Sequence, residues 1–234
     1  MILTSNAAAG ETAGLTLPAD GLSSEALSSA LRRHTQRLHT RAERSGIVRD
    51  LLRGQARLAG YALLLRNLLG VYQTIEDRLA VHLADARLGA FARPELARAA
   101  AIRADLAQLA GVPHAAPLLP AGRRYAARVA AADVNRLIAH AYVRYLGDLS
   151  GGQMLASLLT RRVGVPAEAL AFYHFADSAD PPALRAALRA TLDALAGRGG
   201  DGAAVLAEAA VAFRLNIALA EAVQMAANDG SGSV

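Results

Sequence analysis

The stretch AHAYVRYLGDLSGGQML, residues 139–155, places three glycines inside a long helical pattern. Gly147, Gly151 and Gly152 lie within six residues of each other, and each costs a helix about 0.5–1 kcal/mol relative to alanine. Gly147 and Gly151 are one turn apart, so they share a helix face and leave bare backbone on it. Two explanations stay open at this point: a tight crossing with another helix, or the close approach of a ligand.

The letters LSGGQ within this stretch also form the signature peptide of ABC-type ATPases. An ATPase of that kind needs the loop G-x-x-x-x-G-K-[ST], whose lysine reaches the phosphates. All 25 basic residues of this chain are arginine, so the loop is absent. The sequence therefore excludes this class of motor.

The composition of the 234 residues predicts an all-α protein with one domain. The chain is 53% hydrophobic, the excess is largely alanine and leucine, and tryptophan is absent, which together favour helices over strands. We expect a helical domain at residues 22–228 between flexible tails at 1–21 and 229–234. The lack of cysteine excludes disulfides and thiolate metal sites.

The charge pattern limits the partners. A net charge of +5 allows an acidic ligand or partner, but the arginines are scattered and do not predict nucleic-acid binding. The first residues lack the features of a secretory signal, and no uncharged run approaches the length of a membrane span. We therefore expect a soluble, cytoplasmic monomer without a membrane anchor.

Short breakers divide the chain into helical stretches. The clearest loop is GVPHAAPLLPAG at 111–122. The expected helices cover about 22–44 and 57–83, run from Pro94 to about Ala110, include Tyr125, cover 133–163, and start again at Pro181 and after GRGGDG at 197–202.

A candidate metal ligand lies in the first helix, in LRRHTQRLHTRAE at 31–43. His39 and Glu43 are spaced i, i+4 and share a face. A metal-binding histidine commonly donates its other ring N–H to a carboxylate or water, which suits Glu43. An ordinary surface pair is the alternative, and His34 is a rival ligand. Arg32 lies two turns before His39, about 10 Å away along the helix.

Two other pairs have the same spacing. Arg185 and Arg189 present two guanidinium groups on one face, which need an anionic partner such as a dicarboxylate, or abundant water. A solvated arginine face is the alternative reading. Arg144 and Asp148 could be only an ion pair.

The segments HTRAE (39–43) and AHAYVRYLGDLSGGQML (139–155) together resemble heme oxygenases. FYHF at 172–175 and AFRLNI at 212–217 extend the resemblance, which runs from about residue 22 to 224. It implies a single-domain all-α fold, with heme between a proximal helix and a glycine-kinked distal helix. On this resemblance, the glycines keep the distal wall over the heme free of side chains.

The resemblance also implies a role for individual residues. It makes His39 the iron ligand, with Glu43 near its outer nitrogen, and it makes Asp148 a group that acts through ordered water without touching the iron. The other implied residues are Tyr72, Tyr125, Arg144 and Asn216 in the distal water network, Arg32, Tyr142, Arg185 and Arg189 at the heme propionates, and Gly147, Gly151 and Phe213 at the heme walls.

The implied reaction is oxidative cleavage of heme, which is both the substrate and the centre that activates oxygen. O₂ and an electron donor such as ferredoxin or a flavoprotein reductase enter, and biliverdin, carbon monoxide and ferrous iron leave. The arginine pattern resembles that of α-selective members. Many members have lysine where this chain has Arg32 and Arg185, a change that keeps the charge and alters the geometry.

Two other functions remain open from the sequence. A non-catalytic heme-binding or transport protein on the same fold would keep His39 and the arginines, but Asp148 and its polar company argue against it. A helical interaction protein would need none of these residues.

Overall fold

The structure, a computed structural model, describes residues 25–109, 118–175 and 180–229. Within these ranges the chain is helical and has no strand, which confirms the predicted all-α class. Both predicted tails, apart from Asp229, and most of the predicted loop at 111–122 lie outside the described residues. The α-helices are α1 (Leu27–Glu43), α2 (Gly46–Arg53), α3 (Leu58–Val81), α4 (Ala99–Gln108), α5 (Pro120–Ala130), α6 (Val134–Ala141), α7 (Gly147–Leu158), α8 (Pro181–Asp193) and α9 (Gly202–Asp229).

The helical stretch predicted at 133–163 is present and contains two π-helical segments. α6 continues into the first one, Tyr142–Leu146, which leads directly into α7. The second, Leu159–Val163, follows α7 and ends at Gly164, whose φ of 77° is left-handed. A π segment closes its hydrogen bonds over five residues instead of four and often marks a functional site. The glycine-bearing helix α7 therefore lies between two such segments.

The long helix α9 forms the centre of the fold and packs against α1, α2, α3, α5 and α6. By length and composition it could cross a membrane, but more than half of its most apolar window is buried inside the fold. It is the core helix of the described fold. The backbone of α2 approaches it closely: a Cβ on Gly46, where φ is +49°, would lie 2.2 Å from the carbonyl oxygen of Ala220. Only glycine fits there.

Two helix predictions need correction at their starts, and one helix was missed. α1 begins at Leu27, after Ala26 as its N-cap residue, and α2 was not predicted at all. Pro94 opens only a short 3₁₀ helix, and α4 begins at Ala99. The cause lies on α3: Glu76 Oε1 accepts the backbone N–H groups of Arg98 at 2.6 Å and Ala99 at 2.8 Å. A carboxylate from another helix thus caps α4 and sets its start.

Candidate active site

A buried polar cluster joins α3 to α7. The Tyr72 hydroxyl donates a hydrogen bond to Asp148 Oδ2 and accepts two from Arg144, at 2.9 Å from Nε and 2.7 Å from Nη2. Arg144 Nη2 also lies 3.5 Å from Asp148 Oδ1, and the Asp148 side chain is 9% exposed. Asp148 is therefore held by two partners, Tyr72 and Arg144, in a buried site. It is not simply one member of a surface ion pair.

The cluster extends from the π segment Tyr142–Leu146 to α9 and α5. Arg144 Nη1 donates to Asn216 Oδ1 at 2.8 Å, and Asn216 Nδ2 donates to the Tyr125 hydroxyl at 3.4 Å. Five elements thus contribute one residue each. The structure brings together all the residues proposed for the distal network: Tyr72, Tyr125, Arg144, Asp148 and Asn216.

Burial dominates the electrostatics of this cluster. It raises the pKa of Asp148, although the positive charge of Arg144 and the hydrogen bond from Tyr72 oppose it. Burial also raises the pKa of Tyr72 well above its ordinary value and that of Tyr125 to about 12. Both phenols therefore keep their protons at neutral pH, and Asp148 is the acidic group of the cluster.

His39 lies on α1 with its imidazole 52% exposed. Its Nδ1 is 3.6 Å from Glu43 Oε1, which is too long for a hydrogen bond and leaves an electrostatic contact. The ring also meets the edge of Phe213 on α9, with 6.0 Å between centroids. Because Nδ1 faces Glu43, Nε2 is the nitrogen available to a ligand.

The two glycines on the shared face of α7 border open space. A Cβ built on Gly147 or Gly151 meets nothing within 4 Å, whereas one on Gly152 would lie 3.4 Å from Tyr173 Cδ1. The tight-crossing explanation therefore fails for Gly147 and Gly151. α8 packs against both α1 and α7, so it connects the helix of His39 to the helix of the glycines. Bare backbone beside open space suits the close approach of a flat ligand such as heme.

Gly151→Ala is expected to separate folding from ligand binding. The heme-free variant should be as stable as the wild type, or more stable by about 0.5–1 kcal/mol, because alanine is the better helix former and its Cβ meets open space. Heme affinity should fall severalfold because the methyl group occupies the ligand's side of α7. Thermal unfolding and heme titration measure the two effects. The contrasting variant is Gly152→Ala, whose added methyl group would face Tyr173. A large loss of stability in Gly151→Ala would instead support the tight helix crossing.

The structure brings only some of the residues proposed for the propionates into one region. Burial raises the pKa of Tyr142, and among the opposing influences are the positive charges of Arg189 on α8 and Arg32 on α1. Those three residues therefore share one region. Arg185 differs, because its Nη1 donates to the Leu149 carbonyl oxygen of α7 at 2.6 Å. One donor of Arg185 is therefore already bonded within the protein, and a role for both arginines at the propionates stays a prediction.

Arg98 is one structural residue that the sequence did not reveal. It is 5% exposed, its Nη1 donates to the His174 carbonyl oxygen at 2.9 Å, and its guanidinium lies 4.1 Å from the ring centroid of Phe175. The FYHF segment at 172–175 was recognised, but nothing in the sequence connected it to an arginine more than 70 residues earlier. Arg98 fixes this segment beside α7.

A second buried cluster, also missed, lies next to Tyr125. His140 is fully buried, its ring lies 5.6 Å from that of Tyr125, and its Nε2 is 3.0 Å from Glu208 Oε1. Burial would raise the pKa of Glu208, but hydrogen bonds from His140 and Arg128 lower it to about 2. Glu208 is then an ionised acceptor, so Nε2 carries the proton. The only sequence signal for this cluster is that His140 lies within the 139–155 stretch.

Comparisons with known proteins agree with this arrangement. A family model described as heme oxygenase matches residues 25–222. Heme oxygenase 1 of Nostoc sp. is 34% identical over 197 residues, which cover 82% of this chain and 83% of that protein. Heme oxygenase 1 of Rattus norvegicus is 35% identical over 210 residues, which cover 86% and 72%.

Solved structures give the same result. Heme oxygenase-1 from the cyanobacterium Synechocystis in complex with heme matches with a TM-score of 0.80 at 31% identity, covering 89% of this chain and 96% of that one. Heme oxygenase from Leptospira interrogans matches with a TM-score of 0.76 at 30% identity, covering 84% and 99%. Both likenesses span nearly all of the described helices.

Proposed function

The chain belongs to the heme oxygenase family and is a heme-degrading oxidoreductase, and we propose that His39 holds the heme while the Asp148 cluster manages protons on its opposite face. The reaction is oxidative cleavage of heme to biliverdin, carbon monoxide and ferrous iron. When bound, heme supplies both the substrate ring and the iron that activates O₂. The observation that carries our assignment is the buried contact of Asp148 with Tyr72 and Arg144.

The open side of the site is suited to a heme. A neutral imidazole is a good ligand for heme iron, and the exposed ring of His39 offers Nε2. Glu43 biases the ring tautomer because a proton on Nδ1 would face its carboxylate. On α7, Gly147 and Gly151 leave room for the ring plane. We propose that Arg32, Tyr142 and Arg189 receive the propionates, since two cations beside a phenol suit carboxylates.

Asp148 is proposed to bind and release protons through water beside the heme. Its carboxylate is fixed by the Tyr72 hydroxyl and by the charge of Arg144, and Asn216 and Tyr125 hold that guanidinium in turn. Burial raises the pKa of Asp148 towards the range in which a carboxyl group can exchange protons readily. This arrangement favours catalysis over a non-catalytic heme carrier, which would have no use for it.

The proposed partners follow from the reaction. It consumes O₂ and electrons, so we propose a one-electron donor such as ferredoxin or a flavoprotein reductase. The net charge of +5 favours an acidic donor surface. We further propose that the protein is a cytoplasmic monomer.

One experiment tests the overall activity. Purified protein is loaded with heme without oxygen, and reductant and air are then added. The Soret band should give way to a bilin spectrum at a rate that depends on the protein. Stable heme absorption under turnover conditions would instead support the non-catalytic carrier.

Replacing both Arg185 and Arg189 with alanine is expected to weaken heme binding about tenfold and to yield a mixture of biliverdin isomers. Charge-assisted hydrogen bonds hold carboxylates in a fixed orientation, so their loss lets the ring rotate in its plane. The single variant Arg189→Ala should produce most of the loss of affinity, because Arg185 is bonded to Leu149. Heme titration and product chromatography measure both effects.

The control is Arg93→Ala, which removes an exposed guanidinium paired with Glu95. This control loses one positive charge, as Arg189→Ala does. It should leave heme affinity and the biliverdin product unchanged. A single unchanged isomer from the double variant would remove both arginines from the heme site.

A further inference from the structure

The hydrogen-bonded cluster around Asp148 cannot replenish protons by itself. Arg144 does not lose its proton in proteins, and the Asn216 amide does not titrate. Burial raises the pKa values of Tyr72 and Tyr125 far above neutrality. Repeated turnover therefore needs a route from solvent to Asp148 that enters from elsewhere.

A cavity beside α7 offers a place for such a route. A cavity of about 530 Å³ lies between α7, the 172–175 segment and the start of α8. Its wall includes Asp148 together with the polar residues Gln153, Tyr173, His174 and Arg185. A cavity of this size with several polar groups is large enough to hold water.

His174 is the histidine of this wall, and its position is fixed by its backbone. Arg98 donates to its carbonyl oxygen at 2.9 Å, and the Arg98 guanidinium lies on the neighbouring Phe175 ring. The residue itself is exposed, so its imidazole is in contact with solvent. Histidine is the side chain suited to exchange protons between pH 5 and 8.

Several charged groups surround this imidazole. Arg185 and Asp148 share the cavity, from α8 and α7. Asp105 on α4 is close enough for the charge of His174 to influence its pKa, and it accepts the backbone N–H groups of Ala171 and Phe172. Together with Arg98, these are the charged groups that surround His174.

We propose that His174 relays protons from solvent to Asp148 through the cavity, a role that rests on the proposed function of Asp148. The imidazolium N–H gives its proton to water in the cavity, and that water passes a proton to the Asp148 carboxylate. The neutral imidazole then takes a proton from bulk solvent. His174 acts through Asp148 and does not touch the heme.

The test compares His174→Ala and His174→Gln with the wild type over pH 6 to 9. Bilin formation by the wild type should fall as pH rises and the imidazolium is lost. Both variants should be slower at pH 6 by about fivefold, less than the roughly 100-fold or more of a group that transfers the proton to the reacting atoms directly, and nearly independent of pH. Gln153→Ala, which alters the same wall without removing a titrating group, is the matched control and should keep the wild-type profile.

A second measurement needs no heme. In the heme-free protein, the NMR signals of the His174 ring should move in Asp148→Asn, because the carboxylate that lines the same cavity loses its charge. The His82 ring, at the far end of α3, should not respond. Unchanged pH profiles in both His174 variants would overturn the relay. If Asp148→Ala itself converts heme normally, the proposed role of Asp148 fails instead.

Discussion

His39→Ala is expected to remove the histidine-ligated heme spectrum and to lower heme turnover by more than about 100-fold. The imidazole is the proposed bond between the chain and the iron, and losing only a supporting contact of a metal ligand already costs 10–100-fold in many proteins. The structure places this ring at the surface of α1 with Nε2 available. Absorption and electron paramagnetic resonance spectra of the loaded ferric protein report the ligation.

Two variants make this experiment decisive. His34→Ala removes another exposed histidine of the same helix and should keep both spectrum and turnover. Glu43→Ala should keep the ligation with weaker affinity, because only the contact to Nδ1 is lost. If His34→Ala abolishes the spectrum and His39→Ala retains it, the ligand assignment is wrong.

Asp148→Ala is expected to lower bilin yield about 100-fold while heme affinity and His39 ligation stay nearly the same. A positioned acid–base group typically contributes at least this factor. The side chain bonds to Tyr72 and lies near Arg144, so its removal alters proton handling without removing an iron or propionate contact. Product yield, the Soret spectrum and thermal unfolding should be measured on the same sample.

The matched control is Asp77→Ala, which removes an exposed carboxylate from α3, the helix of Tyr72. It changes the net charge equally and should leave bilin yield unchanged. Wild-type yield from Asp148→Ala would reduce Asp148 to a structural partner of Arg144. Loss of activity that tracks a loss of folded protein would point to the same conclusion.

The sequence predicted those parts of the fold that depend on local chemistry. Pro181 does open α8, with Asp180 as its capping residue, and the glycine-bearing stretch is helical throughout. The start of α4 was wrong because its cap is Glu76, a residue on another helix. α2 was missed because the fit of Gly46 against α9 is a tertiary contact that no local pattern shows.

The same distinction between local sequence information and tertiary contacts applies to the candidate site. The resemblance supplied residue types and spacing, and the structure joins Tyr72, Arg144 and Asp148 as proposed. The spacing of Arg185 and Arg189 predicted a pair, but spacing cannot show that Leu149 offers a carbonyl oxygen to one of them. The positions of Arg98 and His174 depend on segments far apart in the chain, so they became visible only in the fold.

The π segment at Tyr142–Leu146 has an evolutionary consequence. A π turn contains one residue more than an α turn, and one residue rotates a helix by about 100°. Loss of a single codon here would narrow the wide turn to an α turn, so α7 would keep nearly the same face towards α3 and Asp148 would stay near Tyr72. A single-residue insertion would instead turn that face by about 100°, so the chain between α6 and α7 should tolerate shortening by one residue better than lengthening, whereas insertions between α8 and α9 would leave this register intact.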